Sequence, residues 1–374
     1  MDPRVEALAT VLVNYSLGVR SGDWVVIQSP ILGEPLADAC TKAVLQAGGH
    51  PTTLLTSEVI AETTYLTAND EQLQFISPLT RTTVEEAVGR IAILAPRNTR
   101  ALSGIDPARL ALSSQASGAL QQTITRRTAE GDFNWTIGVY PTPAAAQDAN
   151  MSLRSYEEFV YASGLLGEPD PVQAWKEVGE RQARLVEWIT PRREIHIVAP
   201  GTDLYLSVEG RTWLNDDGHK NFPGGEIFTA PLEDSVHGVV EFTFPAFYSG
   251  REVQGVRLVF DGGIVADASA RTGESFLHEM LSMDDGAKRL GEFAFGTNPG
   301  IRQFTKNTLF DEKMGGTLHM ALGMAYPETG GTNTSSLHWD MVLDLRRDSE
   351  VTVDGEVFSR NGEFQVLREA LASC

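Results

Sequence analysis

The chain has 374 residues, of which 42% are hydrophobic and 21% are charged, values ordinary for a globular protein. The formal net charge of −20 predicts a surface that repels nucleic acid phosphates and anionic lipid, so neither is an expected partner. No apolar run approaches the roughly 20 residues that cross a bilayer, and no signal peptide pattern opens the chain. Two cysteines, Cys40 and Cys374, are too few for a disulfide framework, which favours a reducing, cytoplasmic setting.

The first half of the chain predicts an α/β domain. Helical spacing of apolar residues covers 5–19 and 34–47, and strand patterns cover 23–28, 52–56, 90–95 and 134–139. Because strands and helices alternate, we expect a mainly parallel sheet with right-handed crossovers. A helical stretch at 153–188 closes this N-terminal domain, which we assign to residues 1–190. The domain contains no glycine-rich phosphate-binding motif, so nucleotide binding has no support.

From residue 191 to residue 374 the pattern changes to that of a mixed α+β domain. Short strand patterns cover 195–199, 203–208, 238–244 and 253–260. Asp261-Gly262-Gly263 and Asp354-Gly355 are typical of hairpin turns, and one helix is predicted from Glu274 to Leu290. We expect this C-terminal domain to carry a metal site, because the chemically distinctive residues all follow position 220.

Two residues on one predicted strand indicate metal-ligand chemistry. His338 and Asp340 stand two positions apart in S-S-L-H-W-D-M-V, so both side chains leave the same face of a strand, about 7 Å apart. An imidazole beside a carboxylate is a ligand pair for zinc, cobalt or manganese. His319, between Leu318 and Met320, is a candidate third ligand on a nearby strand. The spacing leaves an alternative open, a buried ion pair with hydrogen-bonded core histidines.

Two glutamates upstream stand at the start of apolar segments. Glu226 follows Pro223-Gly224-Gly225, where glycines let the backbone pass close to another group. Glu292 opens the apolar run G-E-F-A-F-G, and a carboxylate that enters a buried strand needs a partner such as a metal ion or an arginine. For Glu226, an exposed side chain in an ordinary turn is the alternative.

Three carboxylates and two histidines together suit a pair of divalent ions that share a bridging carboxylate and a water, as in two-metal hydrolases. The five candidate ligands are Glu226, Glu292, His319, His338 and Asp340. The chain has no His-Glu-x-x-His motif, so the helix-borne zinc site of many metalloproteases is not supported.

Six segments carry a resemblance to a known family. They are N-Y-S-L-G-V-R-S-G-D (14–23), Y-P-T-P-A-A-A-Q-D-A-N-M-S-L (140–153), F-P-G-G-E-I-F (222–228), G-E-F-A-F-G-T-N-P (291–299), H-M-A-L-G-M-A-Y-P-E-T-G-G (319–331) and S-S-L-H-W-D-M-V (335–342). In combination they resemble the aminopeptidase T family of leucyl-type metallo-aminopeptidases over nearly the whole chain. The stretch between His319 and His338 is shorter than in some better-known members.

The resemblance implies a metal site, a partner and an assembly. It matches the five candidate ligands to the family's metal-ligand positions, and it matches Tyr326 to a tyrosine regarded as catalytic. It implies two divalent ions, with zinc or cobalt expected and manganese or magnesium as further candidates. It also implies a homodimer whose substrates are peptides with a free N-terminus.

We therefore expect hydrolysis of the N-terminal peptide bond by a water that two metal ions activate. Glu292 is expected to accept the proton of that water, and Tyr326 to donate a hydrogen bond to the tetrahedral oxyanion. Two alternatives stay open. One is another two-metal hydrolase, an amidase or a phosphoesterase, and the other is a non-enzymatic scaffold that binds a structural metal ion.

Overall fold

The computed structural model describes residues 2–367, and the chain divides into two compact units. The first unit contains Met1–Ala174 and Gly218–Phe222, and the second contains Trp175–Asp217 and Pro223–Cys374. The second unit begins at Trp175, before the domain boundary predicted at residue 190. That boundary concerns domains that fold independently, and it stays a prediction. Cys40 is a buried free thiol, whereas Cys374 lies outside the described residues.

The first unit is built on a four-stranded parallel sheet, as predicted. Its strands are β1 (Trp24–Pro30), β2 (His50–Thr56), β3 (Gly89–Leu94) and β4 (Asn134–Val139), in the order β2-β1-β3-β4. Every neighbouring pair is parallel, which requires crossover connections, and helices supply them. In the central strand β1, Val25, Val26 and Ile27 are consecutive and all buried, as expected of a strand covered on both faces.

Several helices of this unit begin at side-chain caps. Its helices are α1 (Pro3–Thr10, continued as a π-helix over Val11–Leu17), α2 (Glu34–Gln46), α3 (Glu58–Thr67), α4 (Asp70–Leu73), α5 (Pro78–Glu86), α6 (Pro107–Ala116), α7 (Gly118–Glu130), α8 (Pro143–Asp148) and α9 (Leu153–Ser163), and α10 (Pro171–Ile189) leads into the second unit. Asp2, Ser77, Asp106 and Thr142 each accept a backbone hydrogen bond from the first turn and precede a proline. No helix between residues 2 and 367 combines the length and apolar character that crossing a membrane requires.

The second unit consists mainly of antiparallel sheet. Its strands are β5 (Glu194–Ala199), β6 (Thr202–Ser207), β7 (Leu214–Asp216), β8 (Glu226–Thr229), β9 (His237–Glu241), β10 (Ala246–Tyr248), β11 (Arg251–Val253), β12 (Arg257–Asp261), β13 (Ile264–Ser269), β14 (Leu290–Gly296), β15 (Thr317–Gly323), β16 (His338–Asp344), β17 (Glu350–Val353), β18 (Glu356–Arg360) and β19 (Glu363–Phe364). One sheet has the order β13-β12-β9-β6-β5-β17-β18-β19, a second has the order β16-β15-β14-β8-β7, and β10 pairs with β11. Helices α11 (Glu274–Leu281) and α12 (Thr308–Asp311) follow β13 and β14, respectively. Both predicted hairpin turns are confirmed, since they join β12 to β13 and β17 to β18.

Two predicted elements are shorter in the structure. The helix predicted from Glu274 to Leu290 ends at Leu281, because the Asp284 carboxylate accepts a hydrogen bond from the backbone N–H of Ala287 and starts a separate 3-10 turn. The strand predicted over 253–260 is interrupted between β11 and β12. Gly255 has a φ of +63° there, and this left-handed conformation is incompatible with continuous strand pairing.

The five-stranded sheet has one apolar face and one face of small and polar residues. The apolar face is buried in a core that also contains side chains of the eight-stranded sheet, and its members include Phe293, Phe295, Leu318, Met320 and Trp339. The alternate positions on β14 and β15 are occupied by Ala294, Gly296, Ala321 and Gly323. Because these residues are small, the second face leaves room for larger side chains at flanking positions.

Gly296 provides a steric test of this face. A Cβ atom at this position would lie 2.1 Å from the carbonyl oxygen of Met314, so Gly296→Ala forces the backbone to shift. We expect this variant to lose about 1–3 kcal/mol of stability, the usual cost of overpacking, measured by chemical denaturation. Gly118→Ala is the matched control, because a Cβ there meets no atom within 4 Å. An equal loss in the control contradicts the steric explanation.

Candidate metal centre

Strand alternation places three of the predicted site residues on the face of small residues. His338 and Asp340 lie on β16, and His338 Nε2 is 3.6 Å from Asp340 Oδ1. His319 reaches the same place from the neighbouring strand β15, with its Nε2 4.0 Å from Asp340 Oδ1. Trp339, between the two residues of β16, is buried in the core. The predicted strand and its predicted alternation are both present.

Glu292 joins this group from β14. Asp340 pairs with Ala321, and Ala321 pairs with Glu292, so the two carboxylates flank one small residue. The pairing shifts at the start of β14, and such irregularities commonly re-aim a side chain beside a functional site. Glu292 Oε1 lies 3.2 Å from His319 Nε2, and Glu292 Oε2 lies 3.3 Å from His338 Nε2. Each carboxylate oxygen therefore faces a different imidazole.

Glu226 is delivered by the glycines that precede it. Gly225 has a φ of +121°, and a Cβ there would lie 2.5 Å from the Cβ of Asn298, so only glycine fits. The backbone N–H of Thr297 donates to the carbonyl of Gly225 at 2.8 Å, which fixes the two segments together. As a result the Glu226 carboxylate is buried at the start of β8, with Oε2 3.7 Å from His319 Nδ1.

Both imidazoles are held by backbone carbonyls. His319 Nδ1 lies 3.1 Å from the carbonyl oxygen of Glu312, and His338 Nδ1 lies 2.8 Å from that of Met324. A carbonyl oxygen only accepts, so each ring donates through Nδ1–H and turns Nε2 toward Glu292. Histidines that bind metal are commonly oriented in this way through their other nitrogen.

The buried charges shift one another's pKa values. Burial disfavours both imidazolium ions, but hydrogen bonds to Glu292 and the nearby carboxylate charges raise the pKa of His319 to about 10 and that of His338 to about 9. Burial also disfavours the charge of Glu292, yet the two imidazoles lower its pKa to about 2. At Glu226 and Asp340 burial dominates and raises the pKa values to about 8 and about 6. The cluster is therefore stabilised by positive charge.

Three further charged residues complete the cluster, and the sequence analysis missed them. Lys313 is fully buried, with Nζ 3.0 Å from Glu226 Oε1 and 3.4 Å from Asp216 Oδ2, and it also donates a hydrogen bond to Glu312. Asp216 ends β7 and pairs with Glu226. The only local signal is a lysine followed by Met314 in D-E-K-M-G-G. That signal does not reveal which acids the lysine meets, because two of them lie far away in sequence.

The donor atoms of this cluster suit a divalent metal ion. Two buried carboxylate oxygens, Glu226 Oε2 and Asp340 Oδ1, accept no hydrogen bond from any residue between 2 and 367, although buried polar atoms are rarely left unsatisfied. Two overlapping groups place one ligand atom of each member within 4.8 Å of the others: Glu292, His319 and Asp340, and Glu226, Glu312 and His319. Carboxylate oxygens mixed with imidazole nitrogens are the ligands of zinc, cobalt and manganese sites.

Tyr326 lies beside the cluster on the loop after β15. Its ring makes edge contacts with His338 and with Phe228, with centroids 5.4 Å and 5.8 Å apart. Thr329 Oγ1 donates to the Tyr326 carbonyl at 2.6 Å and holds the loop. The residue is 39% exposed. Partial burial and the charge of Glu292 raise the pKa of the phenol, so its hydroxyl keeps its proton at neutral pH.

Comparison with known proteins decides the family. The sequence pattern of the family described as thermophilic metalloprotease (M29) matches residues 1–364. The chain belongs to the M29 family. Among its relatives, aminopeptidase 2 of Geobacillus stearothermophilus is 30% identical, over 97% of this chain and 98% of the relative. Aminopeptidase T of Thermus aquaticus is also 30% identical, over 72% and 73% of the two chains.

A solved structure agrees with this membership. Wild-type AmpT from Thermus thermophilus matches the fold with a TM-score of 0.83 at 25% sequence identity, over 97% of this chain and 99% of that one. The resemblance predicted from the six segments is thus confirmed, and the protein is an M29 metallo-aminopeptidase, a hydrolase that acts on peptide bonds. The structure brings the five predicted ligands together, while their binding of metal stays a prediction.

Lys313 is the counter-charge of three carboxylates, those of Asp216, Glu226 and Glu312. We expect Lys313→Met to lose about 3–5 kcal/mol of stability, the scale of breaking a buried ion pair by removing one partner, measured by chemical denaturation. Lys176→Met, which removes an exposed lysine from α10, is the control. Equal stability of the two variants contradicts the role given to Lys313.

Proposed function

We propose that the protein removes the N-terminal residue of peptides with two divalent ions held by Glu226, Glu292, His319, His338 and Asp340. The observation that carries this proposal is the position of Glu292, whose two oxygens face two different imidazoles. In this position Glu292 would hold metal through its carboxylate oxygens, and His319 and His338 would each contribute Nε2. Zinc or cobalt is proposed, with manganese or magnesium as further candidates, because imidazole nitrogen favours the first two over magnesium.

The protein's own residues bind and orient the substrate. The free α-amine of a peptide is a cation at neutral pH, and the excess of carboxylates in the cluster attracts it. Bound divalent ions supply polarisation of the scissile carbonyl and a water of lowered pKa. Glu292 is proposed to accept the proton of the attacking water and to pass it to the leaving amine. Because both oxygens of Glu292 face imidazole nitrogens, its geometry supports the ligand role more directly than the proton-accepting role.

Tyr326 is proposed to stabilise the oxyanion that forms at the scissile carbonyl. Its hydroxyl stays protonated, so it can donate a hydrogen bond as negative charge develops on that oxygen. The edge contact with His338 places the phenol beside the proposed ligands.

A small cleft lies beside the cluster. Its volume is ≈ 20 Å³, about the space of one water molecule, and Asp340 and Glu312 contribute to its lining. Phe247, Phe304 and Val342 give it apolar walls. Contact between these walls and an apolar side chain of the peptide would remove apolar surface from water.

We also propose an assembly and a cellular location. The resemblance to the aminopeptidase T family supports a homodimer, and the near absence of cysteine supports a reducing, cytoplasmic setting.

His338→Ala tests the proposed metal site. We expect the variant to lose hydrolysis of leucine p-nitroanilide and to retain less metal after dialysis, because one ligand of the pair is removed, while circular dichroism shows an unchanged fold. His278→Ala, which removes an exposed histidine from α11, is the control and should behave as wild type. The wild-type enzyme should lose activity on chelation and regain it when zinc or cobalt is added. Full activity of His338→Ala with wild-type metal content rules out the assignment.

Tyr326→Phe separates catalysis from metal binding. Removal of one oxyanion donor typically costs about 100-fold in turnover, so we expect kcat to fall by about that factor while KM and metal content stay near wild type. Steady-state kinetics and elemental analysis measure the three quantities. Tyr205→Phe, at a tyrosine that is 49% exposed, is the matched control. Loss of metal together with activity shows instead that Tyr326 is structural.

A further inference from the structure

The first unit contains a cavity of its own. Its volume is ≈ 230 Å³, and it lies between one face of the parallel sheet and helix α5. Gln28, Leu54 and Arg90 line it from β1, β2 and β3, and Thr83 and Val84 line it from α5. This volume is somewhat below the roughly 300–1,000 Å³ of sites for drug-sized ligands, so it suits a smaller molecule.

Arg90 enters this cavity without a protein partner. Its buried Nε donates no hydrogen bond to any residue between 2 and 367. Burial lowers the pKa of its guanidinium, and no carboxylate is close enough to offset that effect. A second arginine of the same unit shows the contrast. Arg127 Nη1 donates to the carbonyl oxygens of Val84 and Ala87, each at 2.8 Å. The guanidinium of Arg127, which has a structural role, is therefore satisfied by backbone carbonyls, whereas that of Arg90 is left open to the cavity.

A buried guanidinium N–H without a partner, such as that of Nε in the half-buried Arg90, is unfavourable, because it loses water and gains no acceptor. An anionic group with two oxygens supplies the missing acceptors, and the planar fork of arginine binds carboxylate or phosphate through parallel hydrogen bonds. Arg90 is the one charged residue among the described residues that line the cavity. The lining therefore offers no acid to receive an amine, and a free amino acid does not fit this chemistry.

The remaining lining defines the rest of the ligand. Leu54, Val84 and Phe133 give apolar walls, and the hydroxyl of Thr83 and the amide of Gln28 provide further hydrogen-bonding groups. We infer that this cavity binds a small molecule in which one anionic group, a carboxylate or a phosphate, is attached to an apolar body. The site belongs to the first unit and is independent of the proposed metal centre.

Binding of simple probes to the full-length protein tests the inference. We expect 3-phenylpropionate to bind with a dissociation constant on the order of 1 mM or tighter, measured by ligand-observed NMR titration. The neutral isostere 3-phenylpropionamide and the amino acid phenylalanine should bind far more weakly, since one lacks the anion and the other adds an amine. Phenyl phosphate distinguishes the two anions, and the tighter of the two identifies the preferred group.

Variants assign the binding to Arg90. Arg90→Gln should weaken binding of both anions on the order of tenfold or more, and Arg90→Lys, which keeps the charge but loses the fork, should lie between it and wild type. Arg81→Gln removes an exposed charge from α5 and should bind as wild type does. Thermal unfolding checks that each variant is folded, and Arg90→Lys carries the test if Arg90→Gln does not fold. Equal binding of acid and amide, unchanged binding in both Arg90 variants, or no saturable binding of either anion overturns the inference.

Discussion

The charge balance within one buried cluster determines which charged groups the second unit must supply. Five carboxylates converge on one side of a sheet: Asp216, Glu226, Glu292, Glu312 and Asp340. Like charges at these distances repel, and buried charge without compensation is costly. Lys313 and the two imidazoles are the cationic groups among the described residues of the cluster, so negative charge is in excess. That excess suits the proposed binding of divalent ions and of the amine of a substrate.

The same strands supply both the core and the cluster. On β15, His319 lies between Leu318 and Met320, and alternation sends the imidazole to one face and the two apolar side chains to the other. Gly296 has no side chain and Ala321 has a small one, so the carboxylates that flank them on the polar face can approach one another. Packing on one side of the sheet thus fixes the positions of the charges on the other side.

Features set by local chemistry could be predicted from the sequence. The parallel sheet follows from alternating patterns, and the shared face of His338 and Asp340 follows from their spacing on one strand. Features that depend on distant pairing could not be predicted. Asp216 and Lys313 meet only because β7 pairs with β8 and the lysine segment folds against them. The helix predicted from Glu274 was too long. The Asp284 carboxylate, which caps the following turn, is also held by a hydrogen bond from Ser335, about 50 residues later in the chain.

Alternation on β15 has a consequence for the population of molecules in the cell. A slip of one residue in this strand would bury His319 in the core and turn Leu318 and Met320 toward the carboxylates. A molecule with that error loses its hydrophobic packing and its chemistry at the same moment. Cellular proteases remove molecules that are poorly packed, so they also remove the inactive ones, and the amount of surviving enzyme reports the number of working copies.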